Sequence, residues 1–189
     1  MKLIVGLGNP GKEFVNTRHN VGFEFLDYYI HEKGIFDSWN NKFNGKFINT
    51  FIGDEKIIFL KPQTYMNLSG EAVYKFMSYF NISSDDILII SDDLDLFFGN
   101  FKLKKAGSSA GHNGLRSIEK AIGTSSYKRL KIGISNDKSI DTKDYVLGRF
   151  SSEERNSLNL LFSNLCVVID DYLHLPFAEL MNKYNQKNR

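Results

Sequence analysis

Residues 2–11 read Lys2-Leu3-Ile4-Val5-Gly6-Leu7-Gly8-Asn9-Pro10-Gly11. Residues 2–5 predict a short buried strand, and the glycines that follow break it into a turn. Residues 20–33 place Val21, Phe25, Leu26, Tyr29 and Ile30 at helical spacing, with Gly34 as a stop. Further along, 43–51 and 56–60 read as strands joined by a turn at Gly53-Asp54. Residues 69–80 read as a helix with Ala72, Val73, Phe76 and Phe80 on one face. The wholly apolar run 87–90 predicts an interior strand. Beyond it come a strand at 102–104, a helix at 113–122 capped by Asn113 and a strand at 129–134. Ser151-Ser152-Glu153-Glu154 is a capping box that opens a long helix to about residue 172, and 176–184 form a last helix with Pro176 near its start. Strands alternating with helices define an α/β fold: one domain over 1–189, with a twisted, mixed β-sheet flanked by helices. Sites in such sheets lie at the carboxyl ends of strands. Asn9, residues 65–67, Asp92 and Asn113 are predicted to fall there.

Composition narrows the classes. The chain has 189 residues, 42% hydrophobic and 24% charged, which suits one self-sufficient core. A single cysteine, Cys166 in an apolar run, excludes an internal disulfide and a cysteine-rich zinc site, and reads as a buried thiol. With no cleavage-type leader and no apolar run approaching a membrane span, the expectation is a soluble, cytoplasmic protein with no membrane partner. Charge is uneven. Residues 100–150 hold 11 Lys or Arg against 4 Asp or Glu, a local +7 in a chain whose total is +2. That asymmetry makes a basic face possible, although on charge alone a solvated lysine surface is the better reading.

Three motifs suggest chemistry that their surroundings do not support. Residues 6–11 match G-x-G-x-x-G, but Pro10 removes one amide donor for a pyrophosphate. The acidic candidate for a ribose, Asp27, lies inside a helix. Residues 107–111 match G-x-S-x-G, but a nucleophile elbow needs a strand feeding the serine and a helix directly after it. Here polar residues precede, and the helix waits until 113, so a glycine-serine loop is the better reading. Asp92, Asp93 and Asp95 end a strand as magnesium ligands often do, yet no further ligand set stands at recognisable spacing. Asp93 and Asp95 read as solvated turn residues. A metal site stays open but unsupported, and no cofactor is expected.

Among four histidines, His31 and His174 fit helix ends or surface. His112, before a helix cap in a glycine loop, is placed to contact an anion. His19 lies among polar residues at the mouth of the turn after the first strand. A neutral histidine accepts a proton from water at physiological pH. It then needs a carboxylate to fix its tautomer, and Asp92 is the natural partner. Asn9, Asn67 and Asn113 occupy tight loops or a helix entrance. Turn and cap chemistry explains each alone. Together, neutral amides that both donate and accept can hold a carbonyl, a hydroxyl or a water. One histidine, one carboxylate and several amides suit water attack on an activated ester.

Six stretches carry a resemblance. They are 5–11, Thr17-Arg18-His19-Asn20-Val21-Gly22, residues 61–70, Ser91-Asp92-Asp93-Leu94-Asp95-Leu96, residues 111–118 and Asp144-Tyr145-Val146-Leu147-Gly148. In order and spacing, over nearly the whole chain, they resemble the bacterial-type peptidyl-tRNA hydrolase family. The resemblance implies a monomeric, cytoplasmic, metal-independent enzyme that cleaves the ester between a peptide and the 3′ ribose of tRNA. It implies His19 as general base, Asp92 as the group holding it in the basic form, and Asn9 as a discriminator of blocked from unblocked aminoacyl-tRNA. Tyr65, Asn67 and Asn113 would bind the acceptor end and the peptide, with Met66 as an apolar contact.

Three positions depart from the family pattern. Phe14 stands where Tyr is usual, so a hydroxyl contact to tRNA is absent. Ala110 replaces a usual Gly, which restricts the loop if positive φ is required. Lys131 stands for a basic residue that is often Arg, keeping charge but losing bidentate phosphate geometry. Lys102, Lys104, Lys105 and Lys131 are the expected clamp on acceptor-stem phosphates. A non-catalytic RNA-binding protein using that basic face is the alternative.

Overall fold

The computed structural model describes residues 1–185. Seven strands form one mixed sheet: β1 (Lys2–Gly6), β2 (Asn40–Lys42), β3 (Gly45–Ile52), β4 (Glu55–Pro62), β5 (Ile87–Asp93), β6 (Phe101–Lys104) and β7 (Lys128–Gly133). Their order is β2-β3-β4-β1-β5-β7-β6. The inner pairs β4/β1, β1/β5 and β5/β7 are parallel, and the outer pairs β2/β3, β3/β4 and β6/β7 are antiparallel. Among the described residues the α-helices are α1 (Val21–Glu32), α2 (Ser69–Phe80), α3 (Asn113–Ile122), α4 (Thr142–Leu147), α5 (Ser152–His174) and α6 (Phe177–Asn185).

Strand alternation divides the apolar side chains into two cores. Ile4, Phe59, Leu88, Ile90, Leu130 and Ile132 pack under α1, α5 and α6. Leu3, Val5, Ile58, Ile87 and Ile89 pack under α2 and α3. Every residue of β5 is buried, as expected for a central strand covered on both faces. Cys166 is buried in the first core, and the capping box at Ser151 and Glu154 forms as read. Among the described residues, no helix is long and apolar enough to cross a membrane.

The structure corrects several expectations. Residues 40–42 form an extra edge strand, and α4 is a helix that the residue pattern did not announce. The predicted strand 87–90 continues to Asp93, so Asp92 lies within β5 and not after it. Asn113 is the first residue of α3, and the cap is His112. Asp93 is buried, not a solvated turn residue, and pairs with Lys131 at 2.6 Å.

The first glycine turn serves packing. A Cβ on Gly6 would lie 2.3 Å from the Gly22 carbonyl oxygen, and one on Gly22 would lie 2.6 Å from that of Ile90. The backbone of α1 therefore lies directly against β1 and β5, which places the turn before α1 at the carboxyl ends of both strands.

Candidate active site

A cleft of about 760 Å³ opens over the carboxyl ends of the parallel strands. It brings together Asn9, His19, Tyr65, Met66, Asn67, Asp92, Asn113 and Lys131 from the sequence-predicted set. Phe14, Lys102 and Lys104 are not in its lining. Phe14 stands beside the half-exposed Tyr65, ring centroids 6.3 Å apart and nearly perpendicular.

His19 occupies a single 3-10 turn, Arg18–Asn20, ahead of α1. Its Nδ1 lies 2.9 and 3.0 Å from the two oxygens of Asp92. A carboxylate needs a donor there, so Nδ1 carries the ring proton and Nε2 keeps its lone pair. Burial opposes a charged His19, but the charge and hydrogen bond of Asp92 outweigh it, and its pKa is raised above 6.5. Burial likewise opposes ionisation of Asp92, yet its two histidine partners hold its carboxyl well below the usual carboxylate range.

The second partner is His112. Its Nε2 lies 2.9 Å from Asp92 Oδ1, and its Nδ1 accepts the amides of Gly114 and Leu115 at 3.1 and 3.3 Å. Those amides are free donors of the first turn of α3. They require a lone pair on Nδ1, so the proton sits on Nε2 and is donated to Asp92. Sequence reasoning placed His112 near an anion but missed that the anion is Asp92. Among the described residues, donors of His19, Asp92 and His112 lie within 4.8 Å of one another, close enough for a metal. The surroundings do not suit one. A neutral, metal-bound imidazole donates a proton from its other nitrogen, whereas Nδ1 of His112 is receiving two.

Asn9 is held from three directions. Its backbone N–H donates to Asn20 Oδ1 at 2.8 Å, its carbonyl accepts from Asn20 Nδ2 at 2.9 Å, and its Oδ1 accepts the Met66 amide at 2.7 Å. The side-chain NH₂ is left for the cleft. Asn20 was not singled out from the sequence; its signal is the polar residue between His19 and an apolar helix. Met66 is almost fully buried, its sulfur filling the space that a Cβ on Gly114 would take, so only a small part of it faces the cleft. Asn67 and Asn113 are exposed. Because His112 supplies the cap, the Asn113 side chain is not spent on it.

The lysines divide. On the β6/β7 ladder, Lys102 faces Lys131 and Lys104 faces Arg129. Lys131 is buried and already paired with Asp93. Lys102 and Lys104 turn outward, and the pKa of Lys104 is lowered, first by Lys131, then by burial and Lys102. Arg129 is wholly buried. Its guanidinium lies 4.2 Å over Tyr127 and donates to the carbonyls of Gly107, Ser108 and Ser125 and to Glu119. Arg129 thus ties down one end of the glycine-serine loop, and His112 the other. Between them Ala110 and Gly111 have φ of 49° and 83°, with His112 N–H donating to Ser109 O at 3.0 Å. Positive φ at both central positions marks a type I′ turn.

The chain that carries this histidine pair about one buried carboxylate matches known proteins over nearly its whole length. The peptidyl-tRNA hydrolase family model covers residues 3–189. A peptidyl-tRNA hydrolase of Listeria monocytogenes serotype 4a is 43% identical over 190 residues, covering 99% of this chain and all of that protein. The chain belongs to the peptidyl-tRNA hydrolase family. A peptidyl-tRNA hydrolase of Shouchella clausii is also 43% identical, over 98% of this chain and all of its own length. The crystal structure of the Acinetobacter baumannii peptidyl-tRNA hydrolase superposes with a TM-score of 0.90 at 35% identity, over 98% of this chain and 94% of that one. Peptidyl-tRNA hydrolase membership and the His19–Asp92–His112 cluster are mutually consistent.

Proposed function

We propose that this enzyme hydrolyses the ester joining a peptide, or an N-blocked aminoacyl group, to the 3′ ribose of tRNA, with water activated by His19. The observation that carries the reading is the His19 Nδ1 to Asp92 hydrogen bond at 2.9 Å. It leaves Nε2 as the nitrogen that takes a proton from cleft water. As the proton arrives, Asp92 stabilises the imidazolium, and the same proton then passes to the departing ribose oxygen. The neutral amides of Asn9, Asn67 and Asn113 line the space above the base and are suited to the tetrahedral oxyanion, each such donor typically being worth about 3 kcal/mol.

Amides also explain selectivity for blocked substrates. A peptide carbonyl and N–H pair with carboxamides, whereas a free ammonium lacks such partners and loses hydration, so rejection is strong. Tyr65 and Phe14 form an aromatic corner at the rim for the acceptor end. Lys102 and Lys104 supply a basic ladder for stem phosphates, with Lys131 contributing field from beneath. The family resemblance supports reading the enzyme as a monomer that works in the cytoplasm.

The test is single-turnover release of N-acetyl-aminoacyl groups from labelled tRNA, with unblocked aminoacyl-tRNA and EDTA as controls. Wild type should cleave only the blocked ester, with or without EDTA. His19→Ala should slow cleavage by about a thousandfold while tRNA binding persists. Retention of tRNA without turnover by the wild type would make the chain an RNA-binding protein instead.

A further inference from the structure

Two sequence stretches far apart in the chain, 17–22 and 144–148, meet at one side chain. Arg18 immediately precedes His19. Its guanidinium lies 4.4 Å over the ring of Tyr145, donates from Nη1 to the Tyr145 carbonyl at 3.4 Å, and pairs from Nη2 with Glu154 at 3.1 Å. Tyr145 belongs to α4. Glu154 is the reciprocal member of the α5 capping box, fixed by the Ser151 amide at 2.7 Å. Around this contact the backbones pair as well. Arg18 N–H donates to Gly148 O at 3.0 Å, Phe150 N–H donates to Asn16 O at 3.2 Å, and Thr17 bridges Arg149.

Helix α4 forms one wall of the cleft through Thr142, Lys143, Val146 and Leu147. It is only six residues long and packs on a small core of its own, Ile134, Tyr145 and Val146, separate from the two main cores. Leu94, Leu147 and Phe150 pack against that core and the Tyr145 hydroxyl donates to Ile134 O at 2.6 Å, while the Arg18 side chain and backbone tie α4 and Gly148 at its end to the turn that carries the base. We propose that Arg18 is a positioning residue: it latches α4 and the start of α5 to the 3-10 turn, so that seating this wall of the cleft and aligning the His19 ring on Asp92 are one event. This rests on His19 being the base.

The groups facing His19 are Asp92 from β5 and, across that carboxylate, His112 ahead of α3. Arg18 points away from them, and its charge is not among the influences on His19. A change at Arg18 reaches the base only by displacing it.

Gly148 gives an independent handle. Its φ of −71° and ψ of 150° suit any residue. A Cβ there would lie 2.7 Å from Arg18 Nη1, with the Tyr145 carbonyl next at 3.1 Å, so alanine pushes chiefly on the guanidinium. The experiment measures kcat and KM for N-acetyl-aminoacyl-tRNA from pH 5 to 9, with melting curves, for wild type, Arg18→Gln, Gly148→Ala, their double variant and His19→Ala. Arg18→Gln should lower kcat roughly tenfold to a hundredfold, with KM within about twofold. Its acid limb should move to lower pH, because a ring drifting from Asp92 is less readily protonated. Gly148→Ala should do the same more weakly, and the double variant should be no worse than Arg18→Gln. Should Arg18→Gln not fold, Gly148→Ala alone decides by its kcat and acid limb. Loss of melting temperature with unchanged kcat and pH profile, or strictly additive effects, would overturn the proposal while leaving His19 as the base. Full turnover by His19→Ala would overturn both.

Discussion

His112 donates Nε2–H to Asp92 at 2.9 Å while its Nδ1 receives two amides from the first turn of α3. One ring thus caps a helix and supports the carboxylate that holds His19, and the two tasks can be separated. Asparagine is a good cap but does not reach Asp92 as an imidazole does. His112→Asn should keep most of the stability and lower kcat about tenfold. His112→Ala should lose about 1 kcal/mol of stability as well. Urea melts beside turnover assays check both. Equal losses of stability in the two variants would show that the ring does not act as the cap.

The pH dependence follows from the dyad. His19 must be neutral to act, and its pKa in the folded protein is raised above 6.5. Activity should therefore rise with pH through a midpoint above 6.5. Replacing Asp92 with Asn removes the charge that raises it, so the midpoint should fall, and kcat should drop by about 10³ to 10⁴ as the ring loses its tautomer. Stability carries opposite signs. The carboxyl of Asp92 is depressed, so its contribution is present above pH 3.8 and is lost as pH falls through the folded value. His19 is raised, so its contribution is present below 6.5 and is lost as pH climbs through its folded pKa. Melts of wild type and Asp92→Asn at pH 3 and pH 6 should differ less at the lower pH.

Lys102 and Lys131 face each other on the ladder but should respond differently. Lys102→Ala and Lys104→Ala should each raise KM and flatten the salt slope of tRNA binding by about 1, with kcat within twofold. Lys131→Ala strands the buried Asp93 and should cost about 3 kcal/mol of stability. Filter binding across salt concentrations and thermal melts distinguish the two behaviours. A Lys131→Ala protein that melts like wild type would show that the buried pair is not structural.

Ala110 adopts φ of 49°, a conformation that costs an L-residue about 1 kcal/mol. Ala110→Asn should stabilise the protein by about 0.5 kcal/mol. Ala110→Gly should do so by less, because glycine also frees the unfolded chain. Urea midpoints for both are the check, and destabilisation by Asn would mean that the turn is held in this form only by its present side chain.

The elements whose side chains repeat with a period were legible from the sequence: β1, α1, α2 and α5 stand within a residue or two of their expected bounds. Helix α4 was not, because six residues give too little repeat, and its stability comes from Tyr145 meeting Ile134 and Arg18. Residue type and, through the family resemblance, position pointed to His19, Asp92 and the asparagines, and the structure gathers them at one cleft. The supports were not legible. Asn20, His112, Arg129 and Arg18 reach residues as far as 11, 20, 22 and 136 positions away, and spacing along the chain carries no signal of such contacts. Lys131 shows the converse. Its charge was visible, but its pairing with Asp93 depends on strand register.

Asp92 keeps its negative charge beneath the two rings that bond to it, its carboxyl held well below the usual carboxylate range. The floor of the cleft is therefore anionic, while its outer ladder is cationic. A phosphodiester chain approaching this surface is drawn to the ladder and repelled from the floor. An uncharged group meets no such repulsion, and the ester at the 3′ end of a peptidyl-tRNA is such a group. On the proposed reading, the same charge that prepares the histidine also orders the substrate, keeping the backbone outside and admitting the bond to be cut.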